Sequence, residues 1–253
     1  MNTLRERLGY WLSCWLSCPR PWHRAENRIE SGVLACLRPG DVLLVEGSSR
    51  LGTVIKYLTQ SSWSHAALFV GEDVARRFGG RDGDCFIEAD LAEGVRLTGF
   101  AAFAGSPLRI CRPVGLTAEE LAAVVEFACA RLGYRYDLRN ILDLARYLLP
   151  LPPVPSRWRR HMLILGSGDP TRAICSTLIA EAFQSVRYPI LPLEERAGDG
   201  QRAPRLRRRH YSLFTPRAFD LSPYFAVIKP KLVDGFDPHE LRWAALPAAL
   251  PEP

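Results

Sequence analysis

Lysine is almost missing from this chain: Lys56, Lys229 and Lys231 are the only three, so arginine supplies 30 of the 33 basic side chains. The resulting formal net charge of +6 favours anionic surfaces or ligands in general without choosing among them. Zinc-finger spacing, a glycine-rich phosphate loop and an RNA-binding aromatic signature are all lacking, which argues against specific nucleic-acid binding. The densest basic cluster, Arg205, Arg207, Arg208 and Arg209 beside His210, therefore reads as a solvated basic turn, with phosphate or lipid headgroups as the alternative contact. Nor does the chain hold a convincing spanning segment, which would need about 20 mainly apolar residues. The tryptophan-rich start, MNTLRERLGYWLSCWLSCPRPWHR, is too short and interrupted, and no small-x-small cleavage site follows it. There is no tandem repeat, and the seven cysteines, at positions 14, 18, 36, 85, 111, 129 and 175, form no compact even-numbered framework. Mostly reduced thiols and a cytosolic-facing protein are expected, with peripheral membrane contact through the N-terminal segment as an addition to that reading. Cys14, Cys18 and His23 offer three zinc-type ligands without a fourth, so neither a metal nor a cofactor is expected.

Composition points to a packed globular chain: 47% of residues are hydrophobic and 24% charged. The reading divides the 253 residues into an amphipathic extension over 1–31, a catalytic domain over 32–230 and a peripheral extension over 231–253. In the first part, Leu8, Trp11, Leu12 and Trp15 make one helical face. LRPGDVLLVEG places a turn at Pro39 and Gly40 before a strand over Val42 to Val45. Leu51, Val54, Ile55 and Leu58 recur at helical intervals, and HAALFVG then alternates as a strand. A polar turn with Gly79, Gly80 and Gly83 leads to the strand CFIEAD, and further strands are expected at Val95 to Leu97 and around LRICRPV. Thr117 and Glu120 form a capping-box pattern ahead of the stripe Leu121, Val124, Val125 and Ala128. Another helix is expected over Asp137 to Leu149, then a proline- and arginine-rich loop over Pro150 to Asp169. A third amphipathic helix follows in TRAICSTLIAEAFQSV, with Ile174, Leu178, Ile179 and Ala182 facing the core. After it the chain reads as irregular until a short strand at Tyr224 to Ile228.

Three residues in this frame carry chemistry. Cysteine is a strong nucleophile as thiolate, and a helix start with a histidine nearby favours that form. Cys175 sits near the start of the third helix, and His65 opens a strand beside the small residues Ala66 and Ala67. Glu88 lies on the CFIEAD strand, and adjacent strands are about 5 Å apart, so it can reach His65 across 22 intervening residues. Each has an ordinary reading as well: a satisfied histidine, a packing cysteine and a glutamate paired with an arginine. Cys85, Cys111 and Cys129 read as small hydrophobes.

Taken together, LRPGDVLL, SHAALFVG, FIEAD and ICSTLIAEAF resemble the YiiX/YaeF-like permuted papain-like amidases of the NlpC/P60 cysteine-peptidase superfamily, over roughly Leu37 to Pro189. The diagnostic feature is the order histidine, polar residue, cysteine. The resemblance implies an α+β, circularly permuted papain-like/NlpC-P60 fold, with an antiparallel sheet or partial barrel packed against helices. It also implies His65 as general base, Cys175 as nucleophile and Glu88 as the group that orients the histidine. Ser64, Tyr134 and Tyr136 are candidate substrate contacts, the two tyrosines because LGYRYD looks like the family's aromatic segment. The implied activity is hydrolysis of an amide or peptide-like bond through a thioester. Acyl transfer, with an acyl amide, peptide-like or lipid substrate, and a catalytically silent binding protein are the alternatives.

Overall fold

A computed structural model of the chain describes residues 30–90, 92–134, 174–195 and 205–229. Within these, the elements run α1 (Glu30–Cys36), β1 (Val42–Val45), α2 (Arg50–Thr59), β2 (His65–Phe69), α3 (Glu72–Arg77), β3 (Asp84–Asp90) and β4 (Gly94–Gly99). They continue with β5 (Leu108–Pro113), α4 (Ala118–Cys129), α5 (Ile174–Ser185), β6 (Leu193–Glu195), β7 (Arg205–Arg207), α6 (Pro216–Leu221) and β8 (Phe225–Ile228). Six strands form one open antiparallel sheet in the order β4-β3-β2-β1-β5-β8, and β6 pairs with β7 separately. This is an α+β fold, an open sheet packed against helices.

The middle of the sheet follows from composition. VLLV has no polar alternation, and all four of its side chains are buried, as expected for a strand covered on both faces. Val42 and Leu44 join Ala66, Leu68 and Ile87 in the larger core, together with Val124 and Val125 of α4 and Leu178 and Ile179 of α5. Leu43 and Val45 join Ala67, Phe86, Phe103 and Ile110 in a smaller core on the other face, with Val33 of α1. Helix α4 starts as its sequence dictates: the Thr117 hydroxyl accepts the Glu120 N–H, and the Glu120 carboxylate accepts the Thr117 N–H.

The turn into β1 is held by charge. Gly40 takes a left-handed φ of +91°, and its N–H donates to the Phe69 carbonyl at 2.9 Å. Behind it the carboxylate of Asp41, 1% exposed, accepts the Arg38 N–H at 2.8 Å and two bonds from Arg112 at 2.8 and 2.6 Å. Arg112 also donates to the Cys36 carbonyl at 2.6 Å, so one ion pair, buried at its carboxylate end, ties α1, β1 and β5 together. Asp41→Ala strands that guanidinium and should lower unfolding free energy by about 3–5 kcal/mol in denaturant titration. A loss below about 0.5 kcal/mol, the level of an ordinary surface change, would refute this strut.

Three local expectations change. The stretch before Gly79 contains α3, whose signal is electrostatic: Glu72 and Asp73 sit in its first turn and Arg76 and Arg77 in its last, while Ala75 is its buried residue. The basic turn is in part a strand, because Arg205–Arg207 pair with Leu193–Glu195. The irregular stretch near the end contains α6, which has proline in its first turn and buries Pro216, Ala218 and Phe219. The N-terminal apolar face with Cys14, Cys18 and His23, the helix expected over 137–149, the loop over 150–169 and the extension from 231 all lie outside the described residues.

Candidate active site

The antiparallel register brings the histidine and the glutamate together. Leu68 opposes Ile87 and Phe69 opposes Phe86, so continuing the register sets Glu88 one diagonal step from His65 on the same face. The diagonal is closed by a 2.6 Å contact between His65 Nε2 and Glu88 Oε2. His65 shares its parity with Ala67 and Phe69, and its ring lies 6.2 Å from that of Phe103. Both neighbouring alanines are fully buried, which leaves room for the imidazole at the head of the strand.

Helix α5 packs against β2 and β3, and Cys175 is its second residue. Cys175 lies near enough to His65 to act on its charge. Because Nε2 is held by Glu88, Nδ1 is the ring nitrogen left for the sulfur. Ser176, next in the helix and fully buried, donates its hydroxyl to the Phe214 carbonyl at 2.7 Å and so pins this turn of the helix in place. The first backbone N–H groups of a helix have no partner within it, so Cys175 stands where donors and the positive end of the dipole converge.

Burial alone would pull the histidine's pKa down, but the charge and hydrogen bond of Cys175, followed by those of Glu88, hold it well above 6.5. For Glu88 burial pushes upward, and the His65 and Arg96 partners together more than offset it, leaving the carboxyl below its usual 4.5. The directions of the two shifts favour a protonated imidazole against an ionised Glu88.

Arg96 is the member that sequence reading missed. It directly opposes Glu88 in the β3–β4 register and donates to Oε1 from Nε at 3.0 Å and from Nη2 at 2.8 Å. The hairpin itself held the signal: a turn that pairs Asp90 with Gly94 sets residue 88 against residue 96.

Other expected contacts are placed differently. Ser64 is buried; its hydroxyl accepts the Gly47 N–H at 2.8 Å and donates to the Val45 carbonyl at 3.4 Å, so it braces the entry to β2. Trp63 beside it donates from its indole to Asp220 at 3.1 Å and lies under the Arg109 guanidinium, which fastens the same entry to α6. Tyr134 is exposed, and its carbonyl accepts the Val95 N–H at the outer edge of β4. Tyr136 lies outside the described residues. Among the described residues no group of three or more His, Cys, Asp or Glu side chains is placed to hold a metal ion, and no helix is long and apolar enough to cross a membrane.

Along the chain the strand-borne His65 and Glu88 precede the helix-borne Cys175. Residues 36–147 match the family model of the permuted papain-like amidase enzymes, YaeF/YiiX, C92 family. The match contains His65, Glu88 and Arg96 and ends before Cys175. Among solved structures, the metalloprotein YiiX from Escherichia coli O157:H7 is similar over 77% of this chain and 97% of its own, with 16% identity and a TM-score of 0.46. No curated protein matches the chain.

Proposed function

We propose that the protein is a cysteine amidase or peptidase that hydrolyses an amide or peptide-like bond through a thioester. The His65–Glu88 contact at 2.6 Å with Cys175 beside the same histidine at a helix start is the observation that carries this reading. Cys175 Sγ attacks the carbonyl carbon, and backbone N–H groups of the first turn of α5 receive the oxygen's negative charge. As the C–N bond breaks, the imidazolium passes its proton to the departing amine. Water then attacks the thioester, gives a proton to His65, and releases the acid as sulfur leaves. Glu88 keeps the ring turned toward the sulfur throughout.

Intact-mass profiling with a panel of acyl amides, peptides and lipid esters tests the reading. The expected result is one acyl increment on Cys175 from amide or peptide donors, followed by release of free acid. Transfer of that acyl group to an added amine or alcohol in preference to water would instead make the protein an acyltransferase. Absence of any adduct across the panel would favour a binding protein. Three of the other described thiols make a quiet background: burial pushes Cys111 up to about 12 and Cys129 up to about 11, and it raises Cys85 as well.

A further inference from the structure

Glu88 is 5% exposed at its side chain, and a carboxylate so buried keeps its charge only while its oxygens are satisfied. Each oxygen has a separate task. Oε2 meets His65, and Oε1 takes both bonds from Arg96. The guanidinium is itself held from behind: Nη1 meets Glu93 Oε1 at 3.0 Å, and Nη2 lies 4.0 Å from Asp90 Oδ2. Asp90 in turn accepts the Ala92 and Glu93 N–H groups at 2.8 Å each, which fixes the turn that presents Glu93. The charged groups acting on Glu88 are thus His65 from β2 and Arg96 from β4. Cys175 of α5 acts through His65, and Asp90 and Glu93 act through Arg96.

We infer that Arg96 is a positioning residue of the active site: its two-point hold on Oε1 keeps Glu88 ionised with Oε2 turned to His65, and so keeps the shared proton on the imidazole. This rests on the cysteine-hydrolase reading above. The proton in a 2.6 Å contact has two homes, His65 Nε2 and Glu88 Oε2. Moving it to Glu88 would give a neutral carboxyl, a poor acceptor for a guanidinium, and would leave the thiol facing a neutral imidazole. Arg96 makes that arrangement unfavourable, because both of its bonds to Oε1 are charge-assisted only while the carboxylate is ionised.

The test needs no substrate. Alkylation of Cys175 by iodoacetamide is followed by intact mass across pH in the full-length wild type, Arg96→Gln and Arg96→Lys, with the half-buried Cys36 as internal reference. Arg96→Gln should slow Cys175 about tenfold near pH 6, equivalent to about one pH unit, and converge with wild type in alkali, where any thiol is ionised. Arg96→Lys keeps the charge without the fork and should fall between them, about threefold slow on the acid side. Curves for Arg96→Gln that superimpose on wild type, or that are slowed evenly at every pH, would overturn the inference. If Arg96→Gln does not fold, Arg96→Lys decides by the same criterion. Should wild-type Cys175 react no faster than Cys36 near pH 6, the cysteine-hydrolase reading itself fails; fast wild type with an unchanged variant defeats only the role of Arg96.

Discussion

Cys175→Ala should fold as the wild type does, form no acyl adduct with any donor, and lose turnover by about 10⁴- to 10⁶-fold, the range in which removal of a covalent nucleophile falls. Structural cost is small because one buried sulfur is removed from a site 5% exposed, a change on the order of 1 kcal/mol. The neighbouring anchor, Ser176 to the Phe214 carbonyl, is untouched, so the start of α5 keeps its place. Circular dichroism and thermal unfolding check the fold, and single-turnover kinetics with intact mass check the chemistry. Cys175→Ser is the sharper companion: it preserves shape and hydrogen bonding but substitutes a hydroxyl, a far weaker nucleophile at the same position. Residual turnover within about tenfold of wild type in either variant would rule Cys175 out as the nucleophile.

His65→Ala should lower turnover by about 10²- to 10⁴-fold, the usual worth of a positioned general acid and base. The loss is chemical rather than structural, because Glu88 retains both bonds from Arg96 and is not left as an unpaired buried charge. The wild-type pH profile carries the same residue's signature. Its partners hold His65 well above 6.5, so the imidazolium that protonates the leaving amine persists to higher pH than a free histidine's, and activity falls as pH rises through that raised value. Any stability His65 contributes follows the same sign, present below 6.5 and lost as pH climbs past the folded value. Glu88 has the opposite sign: its contribution is present above 4.5 and disappears as pH falls through its lowered folded value. A profile that turns down at or below 6.5, or a His65→Ala variant with an unchanged alkaline limb, would remove the histidine from the mechanism.

The core and the regular elements were largely legible because periodicity reports burial. VLLV announced a strand, and the stripe beginning at Leu121 announced a helix with its cap at Thr117. Short elements were harder to read. Helix α3 has few apolar residues, and α6 is announced mainly by Pro216, so neither offers enough repeats for a period to show. At the site, residue types and their chain order pointed to His65, Glu88 and Cys175. Nothing local reveals that the Ser64 hydroxyl bonds to the backbone of Gly47 and Val45.

By itself, then, the sequence determined an α+β chain with a strand histidine, a strand carboxylate and a helix-start cysteine, because side-chain alternation and capping are short-range effects written into consecutive residues. Tertiary structure alone decided that Nε2 of His65 meets Glu88 and that Cys175 comes near the same ring. It also decided that Arg96 closes on the far oxygen of the same carboxylate. Those contacts depend on which residues of separate strands stand opposite one another and on where a helix lies across them. Register and packing are fixed by the whole core at once, since a slip of one residue would turn His65, Glu88 and Arg96 to the other face.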